Sequence, residues 1–302
     1  MKRTLVIGAN GFVGNYLVKE LESNGHEVFA ATYPEVDLLK PETITLAVQK
    51  SNPDFVVNLA AISSVGASWQ NPKATMEVNV NGTLNLLDTL RQQNATAKVL
   101  LIGSAEEYAP KQEPLKETDA LNASNPYGIS KIAQENFAFL YRKKYGIDIV
   151  CTRSFNHIGI GQTQQFVIPS FCNQVAKLDN QLGGTQKTGK IFVGNLEVYR
   201  DFSDVRDVVK VYRMLLEKDT KKDDEFIYNV GSGKAYKLSE LLDYIISLAS
   251  VKIETCIDPQ KMRPADNPFL CADNSKIKSF WPNTDIKQTI KELFQHFKAE
   301  PI

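Results

Sequence analysis

A chain of 302 residues with 35 Lys and Arg against 35 Asp and Glu carries no formal net charge at pH 7. Neither a polybasic nucleic-acid arm nor an acidic disordered tail is expected, since both need one sign in excess. At 43% hydrophobic and 23% charged residues the composition is globular, and no apolar run reaches the roughly 18–20 residues of a membrane span. The apolar stretch behind Met1-Lys2-Arg3 stops at once in a Gly/Asn cluster, too soon for a signal peptide. Cys151, Cys172, Cys256 and Cys271 lie far apart with no CxxC, and His26, His157 and His296 are too dispersed for a metal cluster. Reduced thiols, a cytoplasmic location and no metal are expected.

Thr4–Ile7 is a short apolar run, read as a strand, entering Gly8-Ala9-Asn10-Gly11-Phe12-Val13-Gly14. Val13, Leu17, Val18 and Leu21 then recur at helical spacing until Gly25, and a second strand follows at 27–32. Further strands are expected at 54–59, 98–102 and 147–151, near-continuous in apolar residues as buried parallel strands are. Helical stretches fall between them at about 42–50, 73–92 and 127–145. Residues 154–200 turn rich in Gln, Asn and Gly, with interruptions at Pro169 and Gly183-Gly184. A helix at about 205–217 and a strand at 226–230 resume the earlier pattern. A helix at 238–249, a Pro-rich segment at 258–268 and a helix near 286–298 come last. Strands alternating with helices imply an α/β fold, a Rossmann-type doubly wound parallel sheet. The expected division is a nucleotide-binding domain at 1–153 plus about 201–231, and a smaller C-terminal lobe at 154–200 and 232–302.

The loop Gly8-x-x-Gly11-x-x-Gly14 sits between a strand and a helix. Gly8 permits the tight turn, Gly11 a close approach of backbone to a pyrophosphate, and Gly14 close helix–sheet packing, while the helix N-terminus offers N–H groups to the anion. Asn10, Phe12 and Val13 lie in the same loop and are assigned to the dinucleotide with it. An acid at the end of the second strand would favour NAD(H) and an arginine NADP(H). Thr32-Tyr33-Pro34 supplies neither, which tips the choice slightly to NADP(H). Asp37 and Leu38 are placed to flank the adenine, with a strand-edge cap as the alternative, and Leu59-Ala60-Ala61 offers small side chains beside the cofactor.

Asn125-Pro126-Tyr127 opens a helix on which Tyr127 and Lys131 share one face. A phenol is a poor acid–base catalyst at neutral pH unless a fixed ammonium stabilises its phenolate and lowers its pKa. Tyr-x-x-x-Lys alone is common on ordinary helices. Ser104, just past the strand at 98–102, falls where such sheets open their ligand crevice and can donate to the same substrate oxygen.

With Asn58-Leu-Ala-Ala61, Asn79-Val-Asn-Gly-Thr83, Gly103-Ser-Ala-Glu-Glu-Tyr108 and the glycine loop, these residues resemble the extended short-chain dehydrogenase/reductase family over nearly the whole chain. Arg153-Ser-Phe-Asn-His-Ile-Gly159, the stretch from Gly194 to Asp207, Asn229-Val-Gly-Ser-Gly233 and Arg263-Pro-Ala-Asp266 resemble its GDP-sugar branch. The resemblance implies hydride chemistry at C4 of a nucleotide-linked 4-keto-6-deoxy sugar, with Ser104, Tyr127 and Lys131 catalytic. It also implies His157 beside the cofactor, Glu106, Asn156, Arg200 and Arg263 on the substrate, and a homodimer. Trp69 and the segment 63–68 are placed on the substrate side, with a core role for the indole as the alternative.

A 4,6-dehydratase of this branch also needs a carboxylate base and an acid for the leaving hydroxyl. Glu106 is present, but Ala105 stands where dehydratases resemble Thr-Ser-Glu or Thr-Asp-Glu. The arginine pairs of GDP-mannose dehydratases are also missing, at Ile160-Gly161-Gln162 and after the second strand. These departures favour a simple reductase over a dehydratase and temper the preference for NADP(H). A non-catalytic cofactor sensor on the same fold is the third reading, disfavoured because the acid–base set is complete. Gly103, Ala109 and Ile160 are further departures from the usual Ser, Gly and Pro.

Overall fold

The computed structural model describes residues 1–93, 95–183, 187–219, 225–262 and 267–300. In chain order come β1 (Lys2–Ile7), α1 (Phe12–Ser23), β2 (His26–Ala31), α2 (Pro41–Ser51), β3 (Phe55–Asn58), α3 (Val65–Gln70), α4 (Pro72–Met76), α5 (Gly82–Gln92) and β4 (Lys98–Ser104). Next are α6 (Pro126–Tyr145), β5 (Ile149–Ser154), β6 (Asn156–Ile158), α7 (Val167–Leu182), β7 (Gly189–Val193), β8 (Tyr199–Asp204), α8 (Val205–Glu217) and β9 (Ile227–Val230). Then follow β10 (Ala235–Lys237), α9 (Leu238–Ser247), β11 (Ile253–Ile257), β12 (Phe269–Leu270) and α10 (Ile286–Ala299).

Six strands form one sheet in the order β2-β1-β3-β4-β5-β9, each adjacent pair parallel. Successive side chains of a strand point to opposite faces, and both faces of this sheet are covered. Leu5, Ile7, Val56, Val99 and Leu101 pack with Ile44 of α2 and Leu86 and Leu87 of α5. Their neighbours Val6, Val57, Leu100 and Val150 pack with Leu17 and Leu21 of α1 and Val208 and Tyr212 of α8. This is why the strands read as unbroken apolar runs. The winding reverses between β1 and β3, and the crevice at the carboxyl ends of those strands is where such sheets take ligands. Among the described residues no helix is long and apolar enough to cross a membrane.

A second core lies off this sheet. β8 pairs with β6, β10 and β12, and β7 pairs with β11. Phe171, Cys172 and Val175 of α7, Leu241 and Ile245 of α9, and Ile290, Leu293 and Phe294 of α10 pack around Ile191, Val193 and Phe202.

Two segments depart from the sequence reading. The expected helix at 73–92 is α4 and α5 separated by a π-helical turn at Glu77–Asn81, which carries the buried Asn79. Within 154–200, where Pro169 and Gly183-Gly184 read as interruptions, α7 runs for 16 residues. Pro169 is its third residue, in the first turn, where the missing N–H has no intrahelical acceptor to lose. Ile168, Phe171, Cys172, Val175 and Ala176 form its buried stripe. β4 also runs further than expected, so that Ser104 closes the strand, in register with Ser154 of β5.

Candidate active site

The glycine loop leaves β1 at the winding reversal. Gly8 has φ +83°, and a Cβ there would lie 2.9 Å from the Ala60 nitrogen, so the turn and the Leu59–Ala60 backbone close on each other only without a side chain. A Cβ on Gly14 would lie 2.4 Å from the Gly8 carbonyl oxygen, which seats α1 directly on the loop. The N-cap of α1 is Gly11, with no side-chain capping bond and no acidic residue in the first turn. The amides of Phe12, Val13 and Gly14 therefore sit at a positive helix end that the chain's own side chains leave uncapped, which fits a pyrophosphate. Asn10 is exposed, and its carbonyl accepts from Asn15 Nδ2 at 3.2 Å.

His157 of β6 stacks on Phe12 with ring centroids 6.1 Å apart, and Tyr16 donates to the Ile160 carbonyl at 2.9 Å. Those two contacts bring the loop after β6 onto the start of α1. Burial lowers the His157 pKa against the opposing Phe155 carbonyl, leaving a neutral imidazole at pH 7. On the other side of β1, Leu59, Ala60 and Ala61 are half-buried. Asp37 is partly exposed, with Oδ1 accepting from Leu39 N at 2.9 Å, a local turn bond. Leu38 is buried in the core against Gly82, and its carbonyl accepts from Asn85 Nδ2 at 2.8 Å.

The structure brings Ser104, Tyr127 and Lys131 together, all buried. Asn125 caps α6 by accepting from Gly128 N at 2.9 Å, with Pro126 in the first turn, and this fixes Tyr127 at the helix start. Ser104 lies beside Tyr127, close enough to act on its hydroxyl, and its Oγ accepts from Glu106 N at 3.2 Å. Lys131 Nζ donates to the Ile102 carbonyl at 2.7 Å and to Gln134 Oε1 at 3.1 Å, and lies 5.9 Å from the Tyr127 ring centroid.

One expectation is corrected here. The Tyr127 phenol is pushed up rather than drawn down: burial dominates, the Ser104 hydroxyl opposes it, and Glu107 and Glu106 add to the rise. Lys131 is itself pulled down to about 8 by burial, with Glu107 opposing. The ring is therefore a neutral phenol at pH 7, the form that donates a proton.

Several residues that carry this arrangement were not singled out by sequence reasoning. Asn79 Nδ2 donates to Ser130 Oγ at 2.9 Å and to the Ile62 carbonyl at 3.1 Å, while its Oδ1 accepts from Ile62 N at 2.9 Å. It thereby ties the loop after β3 to the middle of the Tyr127–Lys131 turn. Gln134 Nε2 shares the Ile102 carbonyl with Lys131, at 3.2 Å. Arg153 makes a two-pronged pair with Glu135, at 2.9 and 2.6 Å, behind the site. The strings Asn79-Val-Asn-Gly-Thr83 and Arg153-Ser-Phe-Asn-His-Ile-Gly159 carry a signal for two of them, as resemblance alone.

On the substrate side, Glu106 is half-buried and its Oε2 accepts from Asn125 Nδ2 at 2.8 Å. Asn156 begins β6, and its Oδ1 is buried with no hydrogen-bond partner, as expected of an atom that awaits a ligand donor. Arg200 is buried on β8 and donates to the Tyr199 carbonyl at 2.8 Å, so it does not lie at the surface. Arg263 lies outside the described residues. Trp69, on the short helix α3, is 54% exposed, which removes a core role. Asp204 caps α8 and Asp207 accepts from Thr284 N at 2.7 Å, so both are structural.

Over 99% of its length the chain is 31% identical to a GDP-6-deoxy-D-mannose reductase of Pseudomonas aeruginosa, covering 98% of that protein. It is 30% identical to a GDP-6-deoxy-D-talose 4-dehydrogenase of Aggregatibacter actinomycetemcomitans, with 97% of each chain aligned. The solved structure of RMD from Pseudomonas aeruginosa complexed with NADPH superposes with a TM-score of 0.87 at 30% identity, covering 98% of this chain and 99% of the other. Residues 4–231 match the family described as NAD dependent epimerase/dehydratase, and on that match, together with these full-length relatives, the chain belongs to that family.

Proposed function

We propose that the protein reduces the C4 ketone of a nucleotide-linked 4-keto-6-deoxy sugar, GDP-4-keto-6-deoxy-D-mannose to GDP-D-rhamnose, with NADPH or NADH. The observation that carries this reading is the buried Ser104–Tyr127–Lys131 set at the crevice, with Tyr127 held as a neutral phenol. The relatives named above act, by their names, on GDP-deoxysugars. The nicotinamide cofactor, when bound, supplies the hydride. Gly8, Gly11 and Gly14 with the amides of Phe12 and Val13 hold its pyrophosphate, flanked by Asn10, His157 and the Leu59–Ala61 backbone, and Asp37 and Leu38 lie towards the adenine side.

Tyr127 hands its proton to the C4 oxygen as negative charge develops there, Ser104 orients that oxygen, and Lys131 holds the ribose and the positive charge beside it. Asn156, Arg200 and Arg263, in the lobe formed by 154–200 and 232–302, take the sugar and diphosphate together with Glu106 of the larger domain. We place the enzyme in the cytoplasm as a homodimer, with Ile129, Phe139 and Leu140 exposed along α6 as the pairing face. Light scattering checks the dimer.

Tyr127→Phe should lower kcat by about 10²–10⁴-fold while NADPH titration shows largely unchanged affinity. Substantial residual turnover would remove Tyr127 from the role. The deciding assay offers GDP-mannose alone, then its 4-keto-6-deoxy derivative with NADPH or NADH. Reduction only in the second arm is expected. Glu106 beside the site is the one observation that favours a 4,6-dehydratase, and conversion of GDP-mannose without added reductant would establish that instead.

A further inference from the structure

Directly after Glu106 stands a second acid, Glu107, which the mechanism above does not use. It is fully buried, 0% exposed. Its Oε1 accepts from the Ser104 backbone N–H at 2.6 Å. Its Oε2 is buried without a hydrogen bond and lies 3.8 Å from Arg153 Nε. The carboxyl occupies space left by Gly103: a Cβ on that glycine would lie 2.6 Å from Oε1 and 2.4 Å from the Thr152 carbonyl oxygen.

A capping box closing the short turn at Ala105–Glu107 accounts for Oε1. It does not account for Oε2, nor for burying the whole carboxyl when a capping glutamate works equally well in water. The charges around it explain more. Arg153 is already matched by Glu135, which accepts from both its Nε and its second terminal nitrogen. Of this cluster, that leaves the Glu107 carboxyl and the Lys131 amine, both buried. The groups facing Glu107 are Lys131, Glu135 and Tyr127 from α6 and Arg153 and Cys151 from β5. An isolated buried charge is costly, and two of opposite sign are tolerated together.

We infer that Glu107 is a positioning residue of the active site, fixing the Ser104 backbone and, once ionised, serving as the buried counter-charge of Lys131. The inference rests on the reductase reading for its consequence in turnover. Burial, then Glu135, push the Glu107 carboxyl up to about 8, opposed by the Ser104 N–H, Arg153 and Lys131. Above that pH the carboxylate is negative, and a negative neighbour keeps both Lys131 and Tyr127 protonated to higher pH. Removing it moves their deprotonation down.

The test is Glu107→Gln, which keeps an acceptor for the Ser104 N–H and loses the charge. Across about pH 6 to 10 the alkaline limb of kcat/KM should move down by about one unit, with NADPH affinity changed less than about twofold. A variant that is less heat-stable but superimposable on wild type in its pH profile would reduce Glu107 to a structural cap and overturn the inference. A second measurement needs neither the variant nor turnover: the Ser104 amide and the Lys131 Cε resonances of the wild-type protein, followed against pH. Coupled groups titrate in shared steps, so the two should move together. A Ser104 amide that stays flat while Lys131 titrates overturns the inference. If wild type reduces none of the 4-keto sugars, the reductase reading fails, and the two resonances still decide the role of Glu107.

Discussion

Gly14 shows how a single hydrogen atom in place of a methyl group carries function. Because its Cβ would sit 2.4 Å from a backbone oxygen, Gly14→Ala must lift α1 off the loop. We expect cofactor affinity to fall at least about tenfold, about 1.4 kcal/mol, measured by NADPH fluorescence titration; unchanged affinity would place the pyrophosphate elsewhere. The three glycines were legible because their spacing and the strand before them are local. Asn79 was not, since it acts on Ser130, 51 residues away. Glu107 reads in sequence as one more acid in Ala105-Glu106-Glu107; its meaning comes from Arg153, Glu135 and Lys131, which only folding brings to it. The direction of the Tyr127 pKa was misread for a similar reason. Tyr-x-x-x-Lys shows that an ammonium is near, but not how deeply the phenol is buried.

At the scale of elements, α7 is the clearest case of a signal that pointed the wrong way. Pro169 was taken as an interruption, yet in the first helical turn proline's fixed φ is compatible with the helix and its missing donor costs nothing. Pro169→Ala should therefore change unfolding free energy by no more than about 1 kcal/mol. Ala176→Pro, in the buried middle of the same helix, should cost about 3 kcal/mol or more. Urea unfolding of the two variants checks the contrast, and similar losses in both would contradict it. The π-helical turn at Glu77–Asn81 was illegible for a complementary reason. Its apolar pattern continues smoothly into α5, and nothing in the spacing announces that Asn79 turns inward.

Across the whole molecule, Asp201 links the two cores. It sits on β8 in the smaller sheet and accepts from Ser232 N and Gly233 N, both at 2.9 Å, in the loop that leaves β9 of the large sheet, and from Ala272 N at 3.1 Å. Burial raises its pKa against those donors. Of these donors the Ala272 N–H is buried, and orphaning it costs about 1–3 kcal/mol, so Asp201→Ala should lose at least about 1 kcal/mol in chemical unfolding. A loss under about 1 kcal/mol would mean that water replaces the carboxylate freely. The doubly wound sheet itself was readable from the alternation of strands and helices. The mixed sheet around β8 was not, because strands as short as β10 and β12 leave no periodicity to detect.

The path of the chain between those cores limits how the molecule can be taken apart. It leaves the large sheet after β5, returns with α8 and β9, and leaves again into β10. Neither half is a contiguous segment, so no single cut by a protease or a cloning boundary releases one intact. A fragment stopping at the end of β5 would bare the sheet face that Val208 and Tyr212 cover and leave an open edge where β9 pairs. Grafting the second core of a relative onto this large sheet is therefore a problem of three junctions, and new properties are more readily reached by changing side chains in place.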